Sequence, residues 1–219
     1  MTPKLYGHPF SSYTWKALIA FIETGAPHES VTISPEDPEA GRRLHGLCPL
    51  DRFPVLETDE GAFWESSVIV EWAQANGMRP SALIPDDRMA ALRVRERDRI
   101  FDGYVMTPMQ TVVGNALRPD DQRDPFGVAR AQEALERAYA WLDGEMATRT
   151  WAAGEAFTLA DCSAAPSLFY ADWVRPLGEH PHLAAYLKRL RARPSVQAVV
   201  DAARPYRSFF PLGVPAHAD

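Results

Sequence analysis

Two short segments place side chains and backbone where they could act together on a charged group. Ser11 and Ser12 lie just before a stretch in which Trp15, Leu18, Ile19 and Ile22 fall at i, i+3, i+4 and i+7, the spacing of one helical face. A hydroxyl there, beside amides that have no partner within the helix, can converge on an anion. The same serines could equally serve as the helix N-cap alone. Glu65 and Ser66 repeat the arrangement ahead of Val68, Ile69, Trp72 and Ala73. Here the residues alone read as an ordinary helix entry, with Ser66 as N-cap. A third helix start, Thr158-Leu159-Ala160-Asp161, has the spacing of a capping box. Thr158 would accept from the Asp161 amide, and Asp161 would reach back to the Thr158 amide. The only cysteines, Cys48 and Cys162, form no CxxC. Disulfide frameworks, thiolate zinc sites and dithiol redox chemistry are therefore not expected, and no metal is assigned.

The elements that must hold these groups fall into two parts. Lys4-Leu5-Tyr6 reads as a strand, Ser12 to Thr24 as a helix ended by Gly25, and Ser30-Val31-Thr32-Ile33 as a short strand. Pro35 to Pro38 is turn-like, and the residues after it have no clear period. Pro54-Val55-Leu56-Glu57 and Ala62-Phe63-Trp64 flank a hairpin turn, and Ser66 to Asn76 is helical with Gly77 behind it. A βαβ unit followed by a ββα unit is the plan of a thioredoxin-like domain, assigned to residues 1–78. Residues 79–87, with two prolines, read as a linker. Residues 88–219 are expected to form an all-α bundle. Its first long helix runs over 90–116 with a kink near Pro108. Pro181 opens a later helix, and the tail from Arg204 to Asp219 is proline-rich and aromatic.

Composition narrows the function. The chain has 219 residues, is 46% hydrophobic and carries a net charge of −6. No Lys/Arg block is present, so a nucleic-acid partner is not expected. No apolar run reaches bilayer-spanning length, and no signal-peptide pattern precedes Leu5, so a cytoplasmic location away from membranes is expected.

Four segments in order carry a family resemblance. They are Phe10-Ser11-Ser12-Tyr13-Thr14-Trp15-Lys16, Leu47 to Leu56, Glu65-Ser66-Ser67-Val68-Ile69, and Gly154 to Asp161. Together they resemble the cytosolic glutathione transferase superfamily, in pattern nearest to bacterial serine-type, zeta-like members. Two departures stand out: Cys48 replaces the usual asparagine, and Asp51-Arg52-Phe53 replaces a small-basic-Val pattern. The resemblance implies an α+β two-domain fold, a thioredoxin-like domain followed by an all-α helical bundle. It implies glutathione as substrate or co-substrate, and a homodimer.

It also implies roles for residues. Ser11, with Ser12 its rival, would donate to the glutathione sulfur. A free thiol ionises near pH ~8.5, and a hydroxyl donor at a helix N-terminus favours the thiolate. Pro54 would follow a cis bond that lets the Phe53 backbone pair with the cysteinyl unit. Glu65 and Ser66 would hold the γ-glutamyl end. His45, and with no such family match Arg52, are candidates for the glycyl carboxylate. Tyr13, Tyr104, Met106 and Met109 would line a pocket for a small hydrophobic electrophile, which the tail could close over. Tyr6 is expected to be a packed strand aromatic, and neither His8 nor either cysteine is expected to be catalytic. The leading function is transfer of glutathione to an electrophilic carbon. The alternatives are a maleylacetoacetate isomerase-like reaction and a non-catalytic binding protein.

Overall fold

Four short strands build one mixed sheet in a computed structural model that describes residues 1–80 and 82–218. Ser81, in the expected linker, and Asp219, at the end of the expected bundle, lie outside the described residues. The strands are β1 (Lys4–Gly7), β2 (Glu29–Thr32), β3 (Val55–Thr58) and β4 (Gly61–Trp64), in the order β2-β1-β3-β4. β2 runs parallel to β1, while β3 and β4 are antiparallel to their neighbours. A parallel neighbour requires a crossover, and α1 (Ser12–Thr24) supplies it, ended by Gly25 in the left-handed conformation.

A second helix, α2 (Pro38–Leu47), fills the region without clear period. Asp37 caps it and Pro38 takes a first-turn position where its missing N–H is no loss. Only Ala40 and Leu44 are buried, and Gly41 and Gly46 interrupt the pattern. That is too short an apolar stripe to register as a period. α3 (Ser66–Ala75) completes the ββα unit.

Every later element is helical. The long helix expected over 90–116 is α4 (Arg88–Ile100), a π-helical stretch (Phe101–Met106) and α5 (Thr107–Ala116). The irregularity falls one turn ahead of Pro108. Proline lacks an amide and crowds the carbonyl four residues back, and a wider turn relieves both. The Thr107 amide accordingly donates to the Asp102 carbonyl, five residues back, and the Thr107 hydroxyl donates to the same oxygen at 3.0 Å. α6 (Pro125–Met146), α7 (Leu159–Val174), α8 (Pro181–Arg191) and α9 (Pro194–Ala203) follow, then a 3₁₀ turn over Arg204–Phe209. Among the described residues no helix is long and apolar enough to cross a membrane.

The pleat divides the packing. Tyr6 and Val55 face Leu44 and Cys48 on the α2 side, whereas Leu5 and Leu56 join the larger core with Trp15, Ile19, Ile69 and Val70. That core continues into the bundle, where the Trp15 ring packs on Phe169 of α7 at 4.9 Å. The helix that begins at the serine pair is thus packed on both sides.

Candidate functional site

The loop from His8 to Ser11 is fixed by hydrogen bonds from three directions. The Ser11 amide donates to the His8 carbonyl at 2.9 Å, Trp15 Nε1 to the Pro9 carbonyl at 2.6 Å, and the Tyr170 hydroxyl to the Phe10 carbonyl at 2.9 Å. Gly7 permits the loop's approach, because a Cβ there would fall 2.6 Å from Thr14 Oγ1. Ser11 is the N-cap of α1: its Oγ accepts from the Thr14 amide at 3.3 Å. Capping uses a lone pair and leaves the hydroxyl proton to be donated elsewhere. Cap and donor are therefore compatible roles for one residue. Ser12 is buried at the first helical position.

The Phe53-Pro54 bond is cis. It turns the chain at the mouth of a cleft of about 380 Å³ lined by Phe53, Pro54, Glu65, Ser66 and Arg52, with Arg99 and Asp102 facing them from the bundle. Glu65 has φ 74, the left-handed region that disfavours a residue with a Cβ. It precedes α3, which has no side-chain cap. The first amides of that helix therefore remain available to an anion.

Behind Ser66 lies a network that the sequence patterns do not reveal. Lys16 of α1, 1% exposed, reaches Asp98 Oδ1 at 2.5 Å, Asp102 Oδ2 at 2.9 Å and Ser67 Oγ at 2.8 Å. Ser163 of α7 donates to Asp98 at 2.5 Å, and Arg99 bonds Ser67, Asp98 and Asp102. Burial pushes the Asp98 carboxyl up, but Lys16, Ser163 and Arg99 outweigh it and hold the group below the usual range. Asp102 goes the other way: burial and the nearby Asp98 raise it despite Lys16 and Arg99. Asp102 Oδ1 has no hydrogen-bond partner. The i, i+3 spacing of Arg99 and Asp102 was the one visible hint of this pairing, and it resembles any solvated helix face.

A second cavity, of about 290 Å³, adjoins the first. Ser11, Ser12, Met109 and the tail residues Phe209–Pro211 line it, and Tyr13 and Phe53 line both. Burial pushes the Tyr13 phenol up to about 12, with Asp102 and Glu65 adding to the shift, so it stays a hydroxyl donor at neutral pH. Two of the residues expected to line an electrophile pocket lie elsewhere. Met106 is core, 1% exposed, and Tyr104 is 66% exposed on a groove with Ala134 and Trp141. Both lie within the π stretch Phe101–Met106, two positions apart and so on different sides of it, whereas Met109, beyond it, lines the second cavity. His45 pairs with Asp51 at 2.7 Å in an exposed position outside the lining of the cleft, whereas Arg52 does line it. Tyr6 is buried with its hydroxyl on Glu57 at 2.8 Å. His8 meets Tyr206 edge-on at 4.7 Å, and burial lowers its basicity.

Comparison with known proteins places this architecture. The glutathione S-transferase N-terminal domain family matches residues 5–80, and the C-terminal domain family matches residues 125–189. The chain belongs to the glutathione S-transferase superfamily. It is 28% identical over 197 residues to the uncharacterized GST-like protein YibF of Escherichia coli, covering 88% of this chain and 95% of that one. It is also 28% identical over 201 residues to a glutathione S-transferase of Pseudomonas putida, covering 83% and 89%. Among solved structures, a glutathione S-transferase of Methylobacillus flagellatus with GSH bound has 26% identity and a TM-score of 0.81, over 90% of this chain and 98% of that one. One from Methylobacterium radiotolerans, in complex with glutathione sulfonate, has 29% identity and a TM-score of 0.77, over 91% and 95%.

Proposed function

We propose that the chain is a serine-type glutathione transferase, with residues 1–78 as the glutathione-binding domain, 79–87 as linker and 88–219 supplying the electrophile pocket. One observation carries this reading. A polar cleft with an uncapped helix start and an apolar cavity share Tyr13 and Phe53, and Ser11 lines the apolar one. In this reading the γ-glutamyl ammonium pairs with Glu65, and its carboxylate takes the Ser66 amide and hydroxyl. The cysteinyl backbone pairs with Phe53 in strand fashion. Arg52 receives the glycyl carboxylate, and His45 has no part. The thiol loses its proton to solvent, Ser11 donates to the resulting thiolate, and the sulfur attacks an electrophilic carbon. Trp64, Val68, Met89 and Leu92 are exposed apolar residues on β4, α3 and α4, which supports pairing of two copies. A cytoplasmic setting, where glutathione is plentiful and Cys48 and Cys162 stay free, suits this chemistry.

Calorimetric titration with glutathione, alongside turnover of 1-chloro-2,4-dinitrobenzene, tests the reading. Wild type should bind and turn over, and Glu65→Gln should weaken binding about tenfold. Absence of binding refutes the assignment, and binding without turnover makes the chain a glutathione-binding protein.

A further inference from the structure

The buried tyrosines each spend their hydroxyl on a protein acceptor. Tyr6 donates to Glu57, Tyr139 to the Arg175 carbonyl, Tyr170 to the Phe10 carbonyl and Tyr186 to Asp161. A phenol withdrawn from water ordinarily keeps such a partner. Tyr13 departs from this. It is half-buried between the cleft and the second cavity, and among the described residues its hydroxyl has no hydrogen-bond partner. Among the described residues it is also the one hydroxyl side chain that lines both spaces: Ser11 and Ser12 line only the second, Ser66 and Thr107 only the first. Its surroundings keep it a donor, because burial, Asp102 and Glu65 all favour the protonated phenol. None of the described residues that line the second cavity carries a charge. An oxygen that became negative there would find no cation, and would need a hydroxyl to offset the loss of water. Ser11 is taken up by the cap of α1 and, in the transferase reading, by the sulfur.

We propose that Tyr13 is a catalytic residue that donates its hydroxyl to an oxygen of the electrophile rather than to the sulfur, and so favours electrophilic carbons conjugated to a carbonyl. This role rests on the transferase reading. As the C–S bond forms, the π pair of the alkene shifts and leaves its charge on the carbonyl oxygen as an enolate. Tyr13 donates a hydrogen bond to that oxygen and keeps its own proton, and solvent then protonates the α-carbon. An alkyl halide develops no such oxygen. Its bonding pair leaves with the halide, and the phenol has no new charge on oxygen to hold.

The test compares the full chain with Tyr13→Phe, using glutathione with benzylideneacetone and with benzyl chloride. Each electrophile carries one phenyl ring, and only the enone develops an oxyanion. The loss of kcat/KM in the variant should be at least about tenfold greater for the enone. The chlorodinitrobenzene, whose nitro oxygens take up part of the charge, should fall between. Equal losses for the enone and the halide would place the hydroxyl on the sulfur or leave it a mere wall, and would overturn the proposal. The variant removes a hydroxyl that has no protein partner, so the fold should hold, and a thermal melt checks this. Absorbance titration with para-nitrophenolate, an unreactive oxyanion, separates this claim from the reading beneath it. Tyr13→Phe should bind this probe at least about tenfold more weakly, whether or not the chain turns over. That loss in a chain that conjugates neither electrophile sinks the transferase reading and spares the donor. Unchanged phenolate affinity in such a chain overturns both.

Discussion

The N-termini of α7 and α1 begin with similar residue types and differ in how many hydrogen bonds they make. At α7, Thr158 and Asp161 form the expected capping box, and Asp161 is fully buried. Its two oxygens accept from the Thr158 amide at 2.8 Å, the Ala152 amide at 2.9 Å and the Tyr186 hydroxyl at 2.6 Å. Burial pushes this carboxyl up, and those donors pull it partly back. At α1, Ser11 makes one cap bond of 3.3 Å, is half-buried, and faces a cavity. α3 goes further: it has no side-chain cap and starts from a residue at φ 74. A helix start whose donors are all used is structural. One that keeps donors in reserve at the wall of a cavity can receive a ligand.

Breaking the closed start should cost the most. Asp161→Ala leaves two buried amides and the Tyr186 hydroxyl without an acceptor, and should lose about 4 kcal/mol in a denaturant melt. The fraction that stays folded should bind glutathione with unchanged affinity. Ser11→Ala inverts this pattern. It should lose only about 1 kcal/mol of stability, while kcat for conjugation falls by a factor on the order of 10². If both variants lost stability and activity in proportion, the distinction between the two helix starts would fail.

Smaller effects sharpen the account. Tyr13→Phe should lower kcat/KM by about fivefold through loss of one donor. The midpoint of its pH profile should stay where wild type has it. A phenol pushed up to about 12 remains protonated while the bound thiol ionises, so the acid limb belongs to the sulfur. A shifted midpoint in steady-state profiles would make Tyr13 part of the titrating system. His45→Ala should change glutathione affinity by less than about twofold, because His45 is exposed and paired with Asp51 outside the cleft lining. A larger loss by calorimetry would return it to the site.

Local patterns carried much of this architecture. Helical period and cap residues located α1, α3 and the capping box of α7, because each is decided within a few residues. The hairpin and the βαβ-then-ββα plan followed from short β-prone runs and one crossover. α2 was not legible, since two buried residues and two glycines leave no period. The placement of Tyr104 and Met106 was not legible, because membership of a long helix does not say which side a residue faces, and these two face opposite ways, one exposed and one core. The Lys16, Asp98 and Arg99 network joins α1, α3, α4 and α7, and no window of sequence contains its partners together. The tail's part in the second cavity depends on rings far apart in the chain, His8 with Tyr206 and Trp173 with Phe210.

The central claim is that Ser11 keeps its proton in reserve for a bound thiolate. Ultraviolet difference titration of the glutathione-bound protein, wild type against Ser11→Ala, measures this directly through thiolate absorbance. The account predicts a bound-thiol pKa well below the free value of ~8.5 in wild type and a return toward that value in the variant. Glutathione that binds with its thiol pKa unmoved in wild type would contradict the account.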